Sequence, residues 1–305
     1  MKELINYYYN IDINNIDELN DKYHFRIQNQ DYYFVFYNRN MVELNDLINC
    51  ISDLEKIGID VHKPILNIEK SYLTKINENN YILFKVNCQN EVFDIFDIIK
   101  NNKRLILNDS YTSLYRNNWE YLWSKKIDYY EYQIRELGLD KEIIKNSFSY
   151  YIGLAENAIS YVHLINNAYK NYLPKIVWSH RRIYYPNYKV NYYNPLSFIF
   201  DLEIRDIAEY LKSYFFILGT NETIAELKYY LESNKLDNYT YNMLFARLLF
   251  PTYYFDIYEE VMNKNRKEDD LITIITKVDN YQEFIKKAYF EISKYAKLYK
   301  INWLI

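Results

Sequence analysis

One stretch of this chain is empty of acid: positions 181–200, RRIYYPNYKVNYYNPLSFIF, hold neither Asp nor Glu. That segment brings no side-chain carboxylate for a divalent cation and no carboxylate base. Glycine is nearly as scarce, with four copies, Gly58, Gly138, Gly153 and Gly219, against an ordinary usage of ~7%. No two lie close enough to build a Walker loop, a dinucleotide fingerprint or a glycine-rich phosphate-covering loop, all of which need backbone N–H groups unshielded by a Cβ. Two cysteines, Cys50 and Cys88, make neither a zinc knuckle nor a disulfide framework, and read as ordinary thiols. The four histidines, His24, His62, His163 and His180, are scattered without an HExxH or a Cys/His cluster. No apolar run approaches the ~20 residues of a membrane span. The first residues, MKELINYYYNIDINNIDELN, are too acidic and polar for a signal peptide. Basic residues are dispersed and net charge is −4, which excludes the basic stripe of a nucleic-acid binder. A cytoplasmic protein is expected.

Tyrosine is what the chain has in excess, with 38 copies, many as doublets such as Tyr129-Tyr130 and Tyr253-Tyr254. Tyr, Asn, Ile and Lys all use AT-rich codons, so coding bias accounts for the origin. The physical consequence is still a surface rich in amphipathic, adhesive rings. Half the residues are hydrophobic and 26% are charged, enough for a sizeable core and against global disorder. At 305 residues the chain suits two lobes or one large domain.

The first ~90 residues read as a small α+β lobe. His24 to Ile27 and Tyr32 to Tyr37 predict paired strands around the turn Gln28–Asp31. Leu44, Leu47, Ile48, Ile51, Leu54 and Ile57 recur at helical spacing over Val42–Ile57, and Gly58 stands where a helix stops. Two further strands are expected at Tyr72–Ile76 and Tyr81–Val86, around Asn77–Asn80. The remainder reads as helix. Trp119, Leu122, Trp123, Ile127, Tyr130, Ile134 and Leu137 trace one face of a helix closed by Gly138. Asp140 is placed to cap the next helix, where Ile144, Phe148, Tyr151, Ala155, Ala158, Val162 and Ile165 form one apolar stripe. After the short apolar piece Ile176–Trp178, helices are expected from Asp206, near Glu222–Leu231, over Tyr239–Phe250 and over Tyr281–Tyr299. Asp206 and Glu209 have the spacing of a capping box. No internal repeat is visible.

Several segments carry a resemblance: SFSYYIGLAENAISYV (147–162), LSFIFDLEIRDIAEYL (196–211), FARLLFPTYYFDIYEEV (245–261), WEYLWSKKIDYYE (119–131) and the terminal INWLI. Together they resemble the spore coat-associated proteins of the CotS type, particularly the YutH branch. The matches run from about residue 113 to the C-terminus, and the N-terminal part agrees in pattern only. The resemblance implies an α+β, bilobal, protein-kinase-like fold of the aminoglycoside and choline kinase type. The expected division is a small N-terminal lobe over 1–88, with an antiparallel sheet and one main helix, and a larger, mostly helical lobe over 89–305. It also implies synthesis in the mother-cell cytoplasm of an endospore former and assembly onto the spore coat beside other coat proteins.

Active relatives of that fold carry His-Gly-Asp with an Asn five residues beyond the Asp. This chain reads His180-Arg181-Arg182, with Asn187 at the Asn position. Arg182 thus replaces the catalytic base, and an arginine cannot accept a hydroxyl proton at neutral pH. His180 is assigned an orienting role. The metal-binding Asp has two candidate positions: Asn194, twelve residues before Asp206, or Asp201, about twenty after His180. Asp201 can equally be an acid paired with Arg205. No lysine occurs between Lys22 and Lys56, so the phosphate-gripping lysine position falls on Phe36 or a neighbour. Glu43 is either the remnant helix acid or, the favoured reading with no lysine to pair, a solvated face residue. Loss of the glycine loop, lysine, base and metal acid together removes positioning and electrostatic stabilisation at once.

Three functions follow as expectations. The first is a catalytically degenerate kinase-like protein, a pseudokinase without cofactor, acting as a coat component or coat-assembly factor. The alternative is an ATP- and magnesium-dependent small-molecule phosphotransferase with a rearranged site using Asp201. The third is a metal-free anion-binding module using Arg181 or Arg182.

Overall fold

The computed structural model describes residues 1–304 apart from 20–21, 88–90, 103–109 and 138–139. The N-terminal elements are α1 (Lys2–Tyr9), β1 (Asp17–Leu19), β2 (Lys22–Ile27), β3 (Gln30–Phe36), α2 (Glu43–Lys56), β4 (Lys63–Ile65), β5 (Leu73–Ile76), β6 (Asn79–Lys85) and β7 (Val92–Phe93). Next come α3 (Ile95–Asn102), α4 (Trp119–Leu137), α5 (Glu142–Ala168), β8 (Ile176–His180), β9 (Asn187–Tyr188), α6 (Lys189–Tyr192) and β10 (Phe198–Leu202). The C-terminal elements are α7 (Arg205–Leu218), α8 (Thr220–Ser233), α9 (Asn238–Leu249), α10 (Thr252–Met262), α11 (Ile272–Ile275) and α12 (Val278–Ser293). The chain forms two compact units. One comprises Met1–Phe93, Leu107–Tyr115 and Asn187–Ile199; the other comprises Asp94–Ile106, Arg116–Pro186 and Phe200–Ile305.

The first unit is built on an antiparallel sheet of order β1-β2-β3-β6-β4, with β5 also paired to β6. The expected strands are there, and their turns are tighter than the sequence implied. Gln28 and Asn77 sit at φ 54, a left-handed conformation that lets each hairpin reverse in two residues. Phe34 faces Leu83 across β3 and β6. Both join Phe25, Ile5, Tyr9 and Ile13 in a core that α1 closes. That first helix had no clear signal in its polar, tyrosine-rich text. On α2, Leu47, Cys50, Ile51 and Leu54 are buried, as the spacing predicted, and Gly58 follows at φ 79 with its N–H on Glu55 O. Cys50 is a buried thiol whose pKa burial pushes up, while Cys88 lies outside the described residues.

The second unit is mostly helical. In α5, Ile144, Phe148, Tyr151, Ala155, Ala158, Val162 and Ile165 are all buried, and the helix packs on α4 and α9. Helix α9 is buried from Tyr239 to Leu249 on every side, as befits a central helix. Helix α7 lies against α8 and α9, and α8 against α12. Several expectations are corrected. Leu122 is exposed, although Trp119, Trp123, Ile127 and Tyr130 of α4 are buried. The residue before α5 is Lys141, with no side-chain cap, so Asp140 does not cap it. The last long helix stops at Ser293, well short of Tyr299. Helix α10, absent from the expected helices, follows directly on Pro251 as its N-cap. Gly138, expected to close α4, falls outside the described residues. Among the described residues no helix is long and apolar enough to cross a membrane.

Candidate functional site

Within the second unit, β8 delivers His180 and β10 delivers Asp201, and α7 begins beside both. Asp206, in the first turn of α7, holds His180 twice. Its Oδ2 lies 2.7 Å from Nδ1 of the ring, and its Oδ1 accepts the His180 backbone N–H at 2.9 Å. Both side chains are 1% exposed. The capping-box reading of Asp206 and Glu209 is therefore overturned: the N-cap of α7 is Ile204, without a side-chain cap. The spacing matched because both acids sit on the inward face of the first turns, where they meet cations rather than the helix end.

Asp201 is fully buried. It accepts hydrogen bonds from Trp119 Nε1 at 2.9 and 3.0 Å and from the Leu202 backbone N–H at 2.7 Å, and it pairs with Arg205 Nη1. Burial pushes its carboxyl pKa up, against the opposing pull of Arg205 and Arg247. Arg205 in turn donates to the carbonyls of His180 and Arg181, at 2.9 and 3.1 Å. His180 and Asp201 are thus drawn together through one guanidinium. The donors already around Asp201 take up most of the lone pairs that a magnesium ion would need. Among the described residues no three His, Cys, Asp or Glu side chains form a group able to hold a metal.

Arg182 stands two residues beyond His180. Its Nε and Nη2 grip both oxygens of Asp256 on α10, and its Nη1 donates to Arg181 O at 2.6 Å. Such a two-pronged pair is the strong form of the contact. Deeper in, Glu209 of α7 is shared by several donors. Arg247 of α9 lies at 2.7 Å, Lys212 at 2.9 Å, Thr252 Oγ1 at 3.2 Å and Arg182 at 3.9 Å. Lys212 also donates to Thr252 Oγ1 at 2.7 Å and to Phe250 O at 3.3 Å. The Arg247 guanidinium lies 5.0 Å above the Trp119 ring and 5.6 Å from that of Trp123, an arrangement that helps hold a buried cation. Burial raises the Glu209 pKa, yet the surrounding cations Lys212, Arg247 and Arg182 hold the carboxyl well below its usual range. Burial lowers Lys212 to about 7 despite Glu209, and lowers Arg247 to about 10 with Arg205 adding to the effect. The field here is positive, and sequence spacing gave no sign of Glu209, Lys212, Arg247 or Asp256 as a group.

Asn187 and Asn194 belong to the first unit, where each serves the backbone. Asn187 lies in β9, opposite Phe93 of β7, and its Oδ1 accepts the Tyr188 N–H at 2.9 Å. Asn194 Oδ1 accepts the Leu196 N–H at 3.1 Å and caps the 3₁₀ turn Pro195–Ser197. Phe36, offered as the lysine position, ends β3 and is exposed. A buried cation of this unit is Arg39, three residues on. Its Nε lies 2.6 Å from Glu43 Oε2, and its Nη1 donates to the carbonyls of Leu196 and Phe198 at 3.2 and 2.7 Å. Glu43 is accordingly buried, not solvated. Arg39 and Glu43 stand four apart, one helical turn, the one local sign of the pair in the sequence.

The kinase-like architecture recurs in solved structures. An aminoglycoside phosphotransferase from Alicyclobacillus acidocaldarius superposes with a TM-score of 0.62 at 9% identity, covering 94% of each chain. The AMP-bound spectinomycin phosphotransferase APH(9)-Ia gives 0.57 at 14% identity, covering 94% of this chain and 96% of that one. These show the fold. The endospore coat-associated protein YutH of Bacillus subtilis (strain 168) is 29% identical over 212 residues, an alignment spanning 61% of this chain and 61% of the relative. The family described as "Spore coat putative kinase YutH" matches residues 2–288. With that match over nearly the whole chain, and with the α+β kinase-like fold beneath it, the protein belongs to the YutH family of spore coat proteins.

Proposed function

We propose that this protein is a catalytically degenerate kinase-like component, or assembly factor, of the endospore coat, acting through contacts with other coat proteins. It is made in the mother-cell cytoplasm and uses neither ATP nor magnesium. The observation that carries this reading is the clamp between Arg182 and Asp256. If Arg182 stands where active relatives keep their catalytic base, the position offers an arginine that cannot take a proton. The arginine is also already committed to an internal acid.

Two further features support it. Asp201, the alternative metal acid, is fully buried and occupied by Trp119, Leu202 N–H and Arg205. Arg39, the buried cation paired with the helix acid, serves backbone carbonyls of its own unit. Phosphoryl transfer depends on metal, positioning and charge stabilisation acting together.

The test is incubation of the purified protein with radiolabelled ATP, magnesium and either coat extract or small hydroxyl compounds. No label is expected in any acceptor, and Asp201→Ala should leave that result unchanged. Turnover that Asp201→Ala abolishes would overturn the proposal and favour a rearranged phosphotransferase.

A further inference from the structure

A cavity of about 290 Å³ opens beside Arg182, lined entirely by residues of the second unit. Its size is at the lower end of small-molecule sites, which run from roughly 300 Å³ upward. Three cations, Arg182, Lys212 and Arg266, line it against two carboxylates, Glu209 and Asp256. Arg247 stands behind Glu209 and adds to the same sign. One wall is aromatic: Phe216 and Tyr253, with rings 4.8 Å apart, are braced by Tyr281 at 4.7 Å from Tyr253. Another is formed by Tyr184 and Tyr185, the latter fixed by its N–H on Ser213 Oγ at 2.6 Å.

We propose that this cavity binds a small monoanionic carboxylate carrying a flat apolar body. The charge on the walls sets the valence. With Arg247 behind Glu209 and Asp270 beside Arg266 included, four cations face three acids and one positive charge remains to satisfy, whereas a dianion would meet Glu209 and Asp256 with charge to spare. The donors set the head group. The three protons of Lys212 are directed to Glu209, Thr252 and Phe250 O, so it contributes field rather than a hydrogen bond. Arg182 uses three of its five N–H groups on Asp256 and Arg181 O. Arg266 is half-exposed, with Asp270 3.6 Å from its Nε, beyond hydrogen-bond distance. Its planar fork matches a carboxylate. The aromatic walls set the body, since a flat ring can stack there. Burial is the main cause of the low Lys212 pKa, with Arg247 and Arg182 adding to it, and the cations around Glu209 hold that carboxyl low.

Binding needs no phosphoryl transfer, so this inference stands apart from the degenerate-kinase reading. The experiment is calorimetry and thermal shift on the full chain with benzoate, benzyl alcohol, benzylamine and inorganic phosphate. Benzoate alone should bind and raise the melting temperature. Arg266→Ala, a surface change that leaves folding intact, should weaken benzoate by about tenfold, the loss of one charged hydrogen-bonding partner. Asp256→Asn, which releases Arg182, should tighten it. The proposal is overturned by no benzoate binding at ~10 mM, a concentration that would stabilise any weakly binding native state. It is equally overturned by equal binding of benzyl alcohol, by stronger binding of phosphate, or by an Arg266→Ala variant with unchanged affinity. ATP turnover in the same preparation would instead sink the degenerate reading and leave this one standing.

Discussion

Both units bury charge, but they do so differently. In the first, one guanidinium, Arg39, meets one carboxylate, Glu43, and its other prong is taken by the carbonyls of Leu196 and Phe198. In the second, a single carboxylate, Glu209, serves Arg247 and Lys212 within 2.9 Å and Arg182 at 3.9 Å. The first arrangement joins distant parts of the sequence, 39–43 with 195–198. The second carries a surplus of cations beside an open cavity. A buried pair tied to backbone carbonyls fixes a structure, while a surplus leaves electrostatic work for something else to do.

The contrast can be broken most forcefully at Glu209. Glu209→Gln leaves its cations facing one another, and urea unfolding should show a loss of about 3–5 kcal/mol. Adding Lys212→Met should recover part of it, because removing a cation relieves the surplus. No recovery would mean that the surplus is not real. In the first unit, Arg39→Met takes the guanidinium away from Glu43 and from the carbonyls of Leu196 and Phe198, and should cost about 3 kcal/mol, near the low end for a broken buried pair. Arg39→Lys should not restore full stability, since an ammonium lacks the fork that meets carboxylate and carbonyls together. Full rescue by lysine would show that charge alone matters there.

A smaller effect separates the units by pH. His62, whose Nε2 lies 2.8 Å from Val190 O, is lowered by burial from 6.5 to about 4. Between those values the unfolded chain holds a proton that the folded one does not, so stability falls by about 3 kcal/mol as pH drops from 6.5 to 4. Lys212 is lowered from 10.5 to about 7. In that window too the unfolded chain holds the extra proton, so stability rises from pH 7 upward. Denaturation midpoints across pH should lose the acid slope in His62→Gln and the alkaline slope in Lys212→Met. Persistence of either slope in its variant would assign it to another group.

Periodicity found α2 and α5 because each buries one face, and residues such as Ile51 and Ala155 repeat at the helical interval. It missed α10, Thr252–Met262. It misplaced Leu122, which shares the text of a buried face but sits exposed. Among the site residues, the loop from His180 to Asn194 was visible as a gap in acids. The partners of that loop were not, because Asp206, Asp256 and Glu209 lie 26 to 74 residues away from the side chains they hold. Local rules gave Asp206 and Glu209 a capping role and gave Glu43 to solvent. Each is instead a buried acid with a cation or ring beside it.

Linear order alone marked the paired strands, helices such as α2 and α5, and the gap in acids from 181 to 200, because helical spacing, turn residues and local composition are local properties. Folding decided how the remaining charges are spent. Arg182 became a partner of Asp256, and Asp201 a buried acceptor for Trp119 and Arg205. Pairing energy in a dry interior depends on three-dimensional distance and solvent exclusion, and neither is written in the spacing of residues along a chain.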